Sequence, residues 1–313
     1  MKNLFLNLIS VIFKTFSLFN LFIKSIKRKE FKNAFIISID SLSFGGTGKT
    51  PLVIELGKLL SKEGIKFSIV LRGYKSKFEK KGKEVEKNDK FYEVGDEPVL
   101  FKYYFENNPV FVGRNRVNSI KKSIEKGFRV IILDDGFQTT NLKKDLKIML
   151  INPQHPYYFL RNFKFLKKFE DIILYYKDKS DINLNEYSFT EPEFYNRNGE
   201  IIDIGEKKLI GFSALGDNKR FKRDLEKFNL VEFYPFKDHH YFTQKDMRRL
   251  KSILKQKKSD YLVCTEKDYI KLKDMINSDY PLIYAKNRIK LNFNLVNEVK
   301  EYAERENKIH LLY

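Results

Sequence analysis

Ser43-Phe44-Gly45-Gly46-Thr47-Gly48-Lys49-Thr50 follows closely on the apolar run Ala34-Phe35-Ile36-Ile37-Ser38-Ile39. This succession decides the fold. A strand that ends in a glycine-rich turn, with Lys-Thr opening the next element, is the arrangement of a phosphate-binding loop. The glycines let backbone N–H groups crowd around phosphate oxygens, the lysine reaches the β- and γ-phosphates, and the threonine hydroxyl is placed to hold Mg²⁺. The next stretch, Leu52-Val53-Ile54-Glu55-Leu56-Gly57-Lys58-Leu59-Leu60, has helical periodicity. Its N-terminus would aim the positive end of a helix dipole at the same phosphates. Ser43 stands where the strict pattern has its first glycine, so the order strand, turn, helix carries the assignment.

Outward from the loop, the chain alternates short β runs with helical stretches. Phe35–Ile39, Phe67–Leu71, Val110–Val112, Val130–Leu133, Ile148–Ile151 and Ile172–Tyr175 predict strands, which argues for a parallel sheet covered by helices. Arg72 to Phe91 is polar and lysine-rich and reads as an exposed loop. Phe194-Tyr195, Asn196-Arg197-Asn198-Gly199 and Glu200-Ile201-Ile202 read as a hairpin. Leu209–Phe212, Val231–Phe236, Tyr261–Cys264 and Leu282–Tyr284 predict a second alternating region. The expected organisation is an N-terminal amphipathic helix (1–30), a P-loop core (31–185), a β-hairpin linker (186–206) and a smaller C-terminal α/β domain (207–313).

The 313 residues carry a net charge of +19, so the surface favours anionic partners. The single cysteine, Cys264, rules out an intramolecular disulfide, and the four histidines show no zinc-ligand spacing. Residues 3–23 are rich in Leu, Ile and Phe, but Asn7 and Lys14 interrupt them, which makes a poor spanning helix. Lys24, Lys27, Arg28, Lys29 and Lys32 follow. Apolar bulk beside a basic cluster suits a helix lying in a membrane interface against anionic lipid. No recognised nucleic-acid motif is present, and nucleic acid is not an expected partner.

Three acidic or histidine-bearing segments carry the chemistry. Val130-Ile131-Ile132-Leu133-Asp134-Asp135-Gly136 is a buried-strand pattern ending in two carboxylates, and either Asp134 or Asp135 would reach Mg²⁺ together with Thr50. Val94-Gly95-Asp96-Glu97-Pro98 places Asp96 at a helix start, where it would cap the helix or accept a proton from a substrate hydroxyl. Lys237-Asp238-His239-His240 adds an imidazole able to tune that base, His239 or its neighbour His240. Arg72, Arg114 and Arg116 lie at or after strand ends on the loop side, and arginine forks suit phosphate. Thr265-Glu266-Lys267-Asp268 again puts charge at a strand end, but its order departs from a guanine-specific loop.

Taken together, Gly45–Pro51, Arg72-Gly73-Tyr74, Val94–Pro98, Val112-Gly113 through Arg116, Asp134-Asp135-Gly136-Phe137-Gln138, Asp238-His239 and Thr265–Asp268 resemble the tetraacyldisaccharide 4′-kinase family, in the same order along most of the chain. Asp40-Ser41, Lys75, Thr139 and Lys144 depart from the family pattern. The resemblance implies transfer of the ATP γ-phosphoryl to the 4′-hydroxyl of an acylated glucosamine disaccharide 1-phosphate at the cytoplasmic face of a bacterial inner membrane. It also implies a P-loop core, a smaller second α/β domain and a two-stranded linker. Carried onto this chain, Ser43 to Thr50 bind nucleotide, Lys49, Asp96 and His239 act in catalysis, and Arg72, Arg114, Arg116 and Gln138 contact substrate. The competing reading is a membrane-associated P-loop nucleotide switch that phosphorylates no lipid.

Overall fold

The computed structural model describes residues 28–41, 46–136, 139–153, 171–178, 181–277 and 280–313. The expected interfacial helix at 3–23, loop residues Ser43, Phe44 and Gly45, and Gln138 lie outside the described residues.

The strands in chain order are β1 (Phe35–Ser41), β2 (Phe67–Leu71), β3 (Lys83–Glu84), β4 (Val110–Val112), β5 (Val130–Asp134), β6 (Leu146–Ile151), β7 (Ile172–Tyr176), β8 (Glu186–Phe189), β9 (Glu193–Tyr195), β10 (Leu209–Ser213), β11 (Leu230–Pro235), β12 (Tyr261–Thr265), β13 (Leu282–Lys286) and β14 (Ile289–Leu291). Among the described residues the α-helices are α1 (Lys49–Lys62), α2 (Phe91–Val94), α3 (Asp96–Tyr104), α4 (Arg116–Glu125), α5 (Asn218–Leu225), α6 (Gln244–Gln256), α7 (Glu266–Leu272) and α8 (Leu295–Arg305).

Two sheets result. The larger has nine strands in the order β14-β8-β7-β6-β1-β5-β2-β4-β3, and the smaller has five in the order β11-β10-β12-β13-β9. The interior of the larger sheet is parallel, with antiparallel strands only at its rims, β3 on β4 and β14 on β8. Its central strands β1, β2 and β5 are buried along their whole length. That is why they read as continuous apolar runs, since both faces are covered. α1 contributes Leu52, Val53, Leu56 and Leu60 to the same core as Phe35, Ile37 and Ile39. Phe212, Leu250, Leu262 and Tyr284 are among the residues of the smaller lobe's main core.

The lysine-rich stretch expected as an exposed loop is instead partly built into the larger sheet. Lys83 and Glu84 pair with Val112 and Phe111, and Val85 is fully buried. Edge pairing uses backbone groups, so charged side chains at a sheet margin do not prevent it.

The domain limits also differ from those expected. The hairpin forms, with Asn196 N–H donating to Glu200 C=O at 3.0 Å and Tyr195 bridging Ile201, and β9 also pairs with β13 in the smaller sheet. β8, inside the expected linker, belongs to the larger sheet. The chain therefore crosses between the sheets twice, outward after β8 and back between β13 and β14. Residues after β13, expected in the smaller domain, return to the larger lobe. There Leu295, Val296, Val299 and Ala303 of α8 join the core that contains Phe35 and Leu52. The helical spacing of these apolar residues announces a buried face without saying which core will cover it.

Candidate functional site

The phosphate loop sits where β1 gives way to α1. Gly48 caps α1 at φ +96°, a left-handed conformation that favours glycine, and a Cβ there would lie 2.7 Å from Cζ of Phe189. Tyr187 of β8 donates its hydroxyl to the Thr47 carbonyl at 2.6 Å and ties the loop to the sheet. Lys49 Nζ donates to Ser41 Oγ at 3.1 Å. Thr50 Oγ1 donates to Glu97 Oε1 at 3.0 Å. Gly46 to Thr50, Glu97, Asp238, His239 and Lys267 are among the residues lining a cleft of about 240 Å³ between the lobes.

β5 lies beside β1 in parallel register, with Asp134 opposite Ile39, so its C-terminal carboxylate arrives at the loop end of the sheet. Asp134 is buried and its Oδ1 has no hydrogen-bond partner. Burial first, then the neighbouring Glu97 charge, pushes its pKa up to about 8 against the pull of Lys49. Asp135 turns the chain at φ +54°, its N–H donating to the Ile39 carbonyl at 3.0 Å. Thr50 and Asp134, with Asp135 adjacent, offer only oxygen donors, as a hard cation requires. Among the described residues no group of three or more His, Cys, Asp or Glu side chains stands ready for a metal. In kinase sites Mg²⁺ is held by one or two carboxylates together with substrate phosphates. The partnerless Asp134 oxygen fits the same role.

Asp96 is the first residue of α3, and its Oδ1 accepts from the Glu97 N–H at 3.0 Å. Its Oδ2 lies 2.9 Å from His239 Nδ1 and 3.6 Å from Lys267 Nζ, both in the smaller lobe. Burial works to raise the Asp96 pKa, but the Lys267 ammonium and the His239 hydrogen bond outweigh it and hold the carboxyl below its ordinary value. Asp96 is therefore the acceptor, and His239 Nδ1 carries the proton. The Asp96 bond in turn raises the His239 pKa, against partial burial. His240 faces elsewhere, its Nε2 3.1 Å from Asp246 Oδ2 at the start of α6. Of the two adjacent histidines, His239 meets Asp96.

The arginines gather on a second face. Arg72 pairs with Glu79 at 2.8 Å and lies over the Tyr74 ring. Arg114 and Arg116 line an open side cleft of about 420 Å³ together with Lys80, Thr139 and Asn141. Buried Arg116 donates to the Asp134 carbonyl at 3.1 Å and to Thr139 Oγ1. Thr139, one of the departures from the family pattern, is thus a hydrogen-bond partner of Arg116. The sequence pattern does not mark Glu97 and Lys267 as site residues. Glu97 adjoins Asp96, and the second carboxylate of that pair is the signal the sequence carries for it. Lys267 was visible only as a charge at the end of β12.

A phosphate loop on a parallel α/β core, with oxygen donors at the neighbouring strand end and an acid–imidazole pair across the cleft, defines a P-loop kinase fold. The chain belongs to the tetraacyldisaccharide-1-P 4′-kinase family, whose profile matches residues 2–162 and 170–303. A tetraacyldisaccharide 4′-kinase of Campylobacter jejuni strain RM1221 is 31% identical over 283 residues, covering 85% of this chain and 80% of that protein. One from Chlamydia caviae is 30% identical over 305 residues, covering 87% and 83%. In fold, the chain is similar to the "apo" form of LpxK from Aquifex aeolicus in complex with ATP, with a TM-score of 0.73, 24% identity and full coverage of both chains.

Proposed function

We propose that this chain transfers the γ-phosphoryl group of ATP to the 4′-hydroxyl of a tetraacylated glucosamine disaccharide 1-phosphate, the phosphorylation that belongs to lipid A synthesis. Family membership supports the kinase over the nucleotide switch. The observation that carries the mechanism is the Asp96–His239 contact, 2.9 Å, at the cleft that Lys49 and Thr50 also line.

Lys49 and the loop amides hold the β- and γ-phosphates. Thr50 and Asp134 would hold Mg²⁺, with Asp135 beside them. When bound, the ion neutralises charge that develops on the phosphates. The 4′-oxygen forms a bond to the γ-phosphorus as the bond from that phosphorus to the β,γ-bridging oxygen breaks, and ADP leaves with that electron pair. Asp96 accepts the hydroxyl proton. Its depressed pKa keeps it ionised at neutral pH. In a loose transition state, positioning and charge stabilisation matter more than base strength. His239 fixes the direction of the carboxylate, and Arg72, Arg114, Arg116 and Gln138 contact the acceptor.

The basic, apolar N-terminus docks the protein on an anionic membrane surface, where the lipid acceptor resides, and the cytoplasmic face of the inner membrane is the matching location. Among the described residues no helix is long and apolar enough to cross a membrane.

The test is a phosphoryl-transfer assay in detergent micelles with labelled ATP, Mg²⁺ and the acylated disaccharide 1-phosphate, read by product mass. One phosphate gained on the distal sugar, lost in Lys49→Ala, is expected. Nucleotide hydrolysis without any lipid product would overturn the assignment.

A further inference from the structure

His239 reaches Asp96 from an uncommon backbone conformation, φ +57°. A non-glycine residue stays in that region only where its surroundings hold it. The holding bonds can be traced. The His239 N–H donates to the Ala214 carbonyl at 3.3 Å. The Ala214 N–H donates to Asp268 Oδ2 at 2.9 Å. Lys271 Nζ donates to the carbonyl of His240 at 3.4 Å.

Asp268 and Lys271 sit one turn apart on α7 and form an ion pair of 2.6 Å, with side-chain exposures of 0% and 2%. Thr265 Oγ1 also donates to Asp268 Oδ2 at 2.9 Å, and Lys271 lies over the Phe242 ring. Neither charge lines the cleft. An ion pair this deeply buried returns little net stability after desolvation. Here each member also holds one side of the histidine turn, Asp268 through Ala214 and Lys271 through His240.

We infer that the buried Asp268–Lys271 pair is a positioning device that sets His239 against Asp96. The inference rests on the catalytic reading of Asp96 and His239 given above. Besides Asp96, the charged groups facing the imidazole are Asp238, 3.8 Å from Nε2, and Lys267.

The experiment measures Lys271→Met alone and in a His239→Ala background. It reads turnover at saturating substrates, ATP affinity and the pKa of the His239 ring by proton NMR, with the four histidines assigned by substitution. Lys271→Met is expected to lower kcat about tenfold, in line with small misplacements of catalytic groups. In the His239→Ala background it is expected to add less than about twofold, as for residues acting through one another. The His239 pKa should fall towards that of free imidazole, and ATP affinity should stay within about twofold because the loop contacts are untouched. An equal loss in both backgrounds, or an unmoved ring pKa, overturns the positioning role. Should Lys271→Met fail to fold, the double variant Asp268→Asn/Lys271→Met leaves no unpaired buried charge and meets the same criteria. Full turnover in His239→Ala alone would instead sink the catalytic reading, and this inference with it.

Discussion

Lys267 Nζ lies 3.2 Å from Glu97 Oε1, and Glu97 Oε1 also accepts the hydroxyl of Thr50. A cation of the smaller lobe thus meets a carboxylate that touches the phosphate loop of the larger. The contact is well shielded, Lys267 being only 16% exposed. The Lys267 charge, with His239, also holds Asp96 ionised.

Removing that cation should raise the Asp96 pKa, because an opposite charge at this range favours the anion. The acid limb of kcat/KM in Lys267→Met should move upward by about one pH unit or more. A pH–rate profile checks it, and an unmoved acid limb would separate Asp96 from that limb.

Asp96→Asn should lower turnover by about a hundredfold or more, the usual contribution of a positioned general base. ATP affinity, measured by calorimetry, should change little, since the hydrogen bonds and ion pairs of Asp96 go to Glu97, His239 and Lys267. Full turnover would remove Asp96 from the chemistry.

The same pair has a pH signature in stability. The His239 pKa is raised on folding, so its contribution is complete below the unfolded value near 6.5 and is lost as pH rises through the folded value. Asp96 is depressed, so its share is present above the unfolded value of about 3.8 and is lost as pH falls through the folded one. The melting-temperature gap between the native chain and His239→Ala should therefore be widest near pH 6 and should narrow as pH rises above it. It should be small, because His239 is 53% exposed and solvent screens it.

Asp134 and Asp135 should separate cleanly. Asp134 keeps a buried oxygen without a hydrogen-bond partner, whereas Asp135 turns the chain. Asp134→Asn should raise the half-saturating Mg²⁺ concentration about tenfold or more, and Asp135→Asn by less than about threefold, the range seen when ligand shells are altered. Mg²⁺ titration of initial rates decides it, and the opposite ranking would reassign the ligand.

Lys308 is a structural case. Its Nζ donates to the carbonyls of Phe31 and Ala34 and to Asp145 Oδ1, all within 2.9 Å, and both charges are buried. Lys308→Met leaves Asp145 uncompensated and should cost about 3–5 kcal/mol in urea unfolding. Pairing it with Asp145→Asn should recover much of that loss.

The larger sheet was legible because β1, β2 and β5 are buried on both faces and spell it in unbroken apolar runs. The helix start at Asp96 was legible because Gly95-Asp96-Glu97-Pro98 marks it. Lys267 escaped because its partner Glu97 is 170 residues away, and nothing local in either segment reports a contact made by closing two lobes. The destination of α8 escaped for a related reason. A single apolar stripe fits either core, and only the pairing of β14 with β8 sends it to the first.

That return has a consequence for the order in which the molecule is made. The smaller sheet is continuous from β9 to β13, so its strands can meet while the chain is still being synthesised. The larger lobe contains β1 yet lacks β14, α8, Leu312 and the Lys308 anchor until the residues after β13 have been made. Of the two sheets, the one that holds β1 is therefore completed after the other.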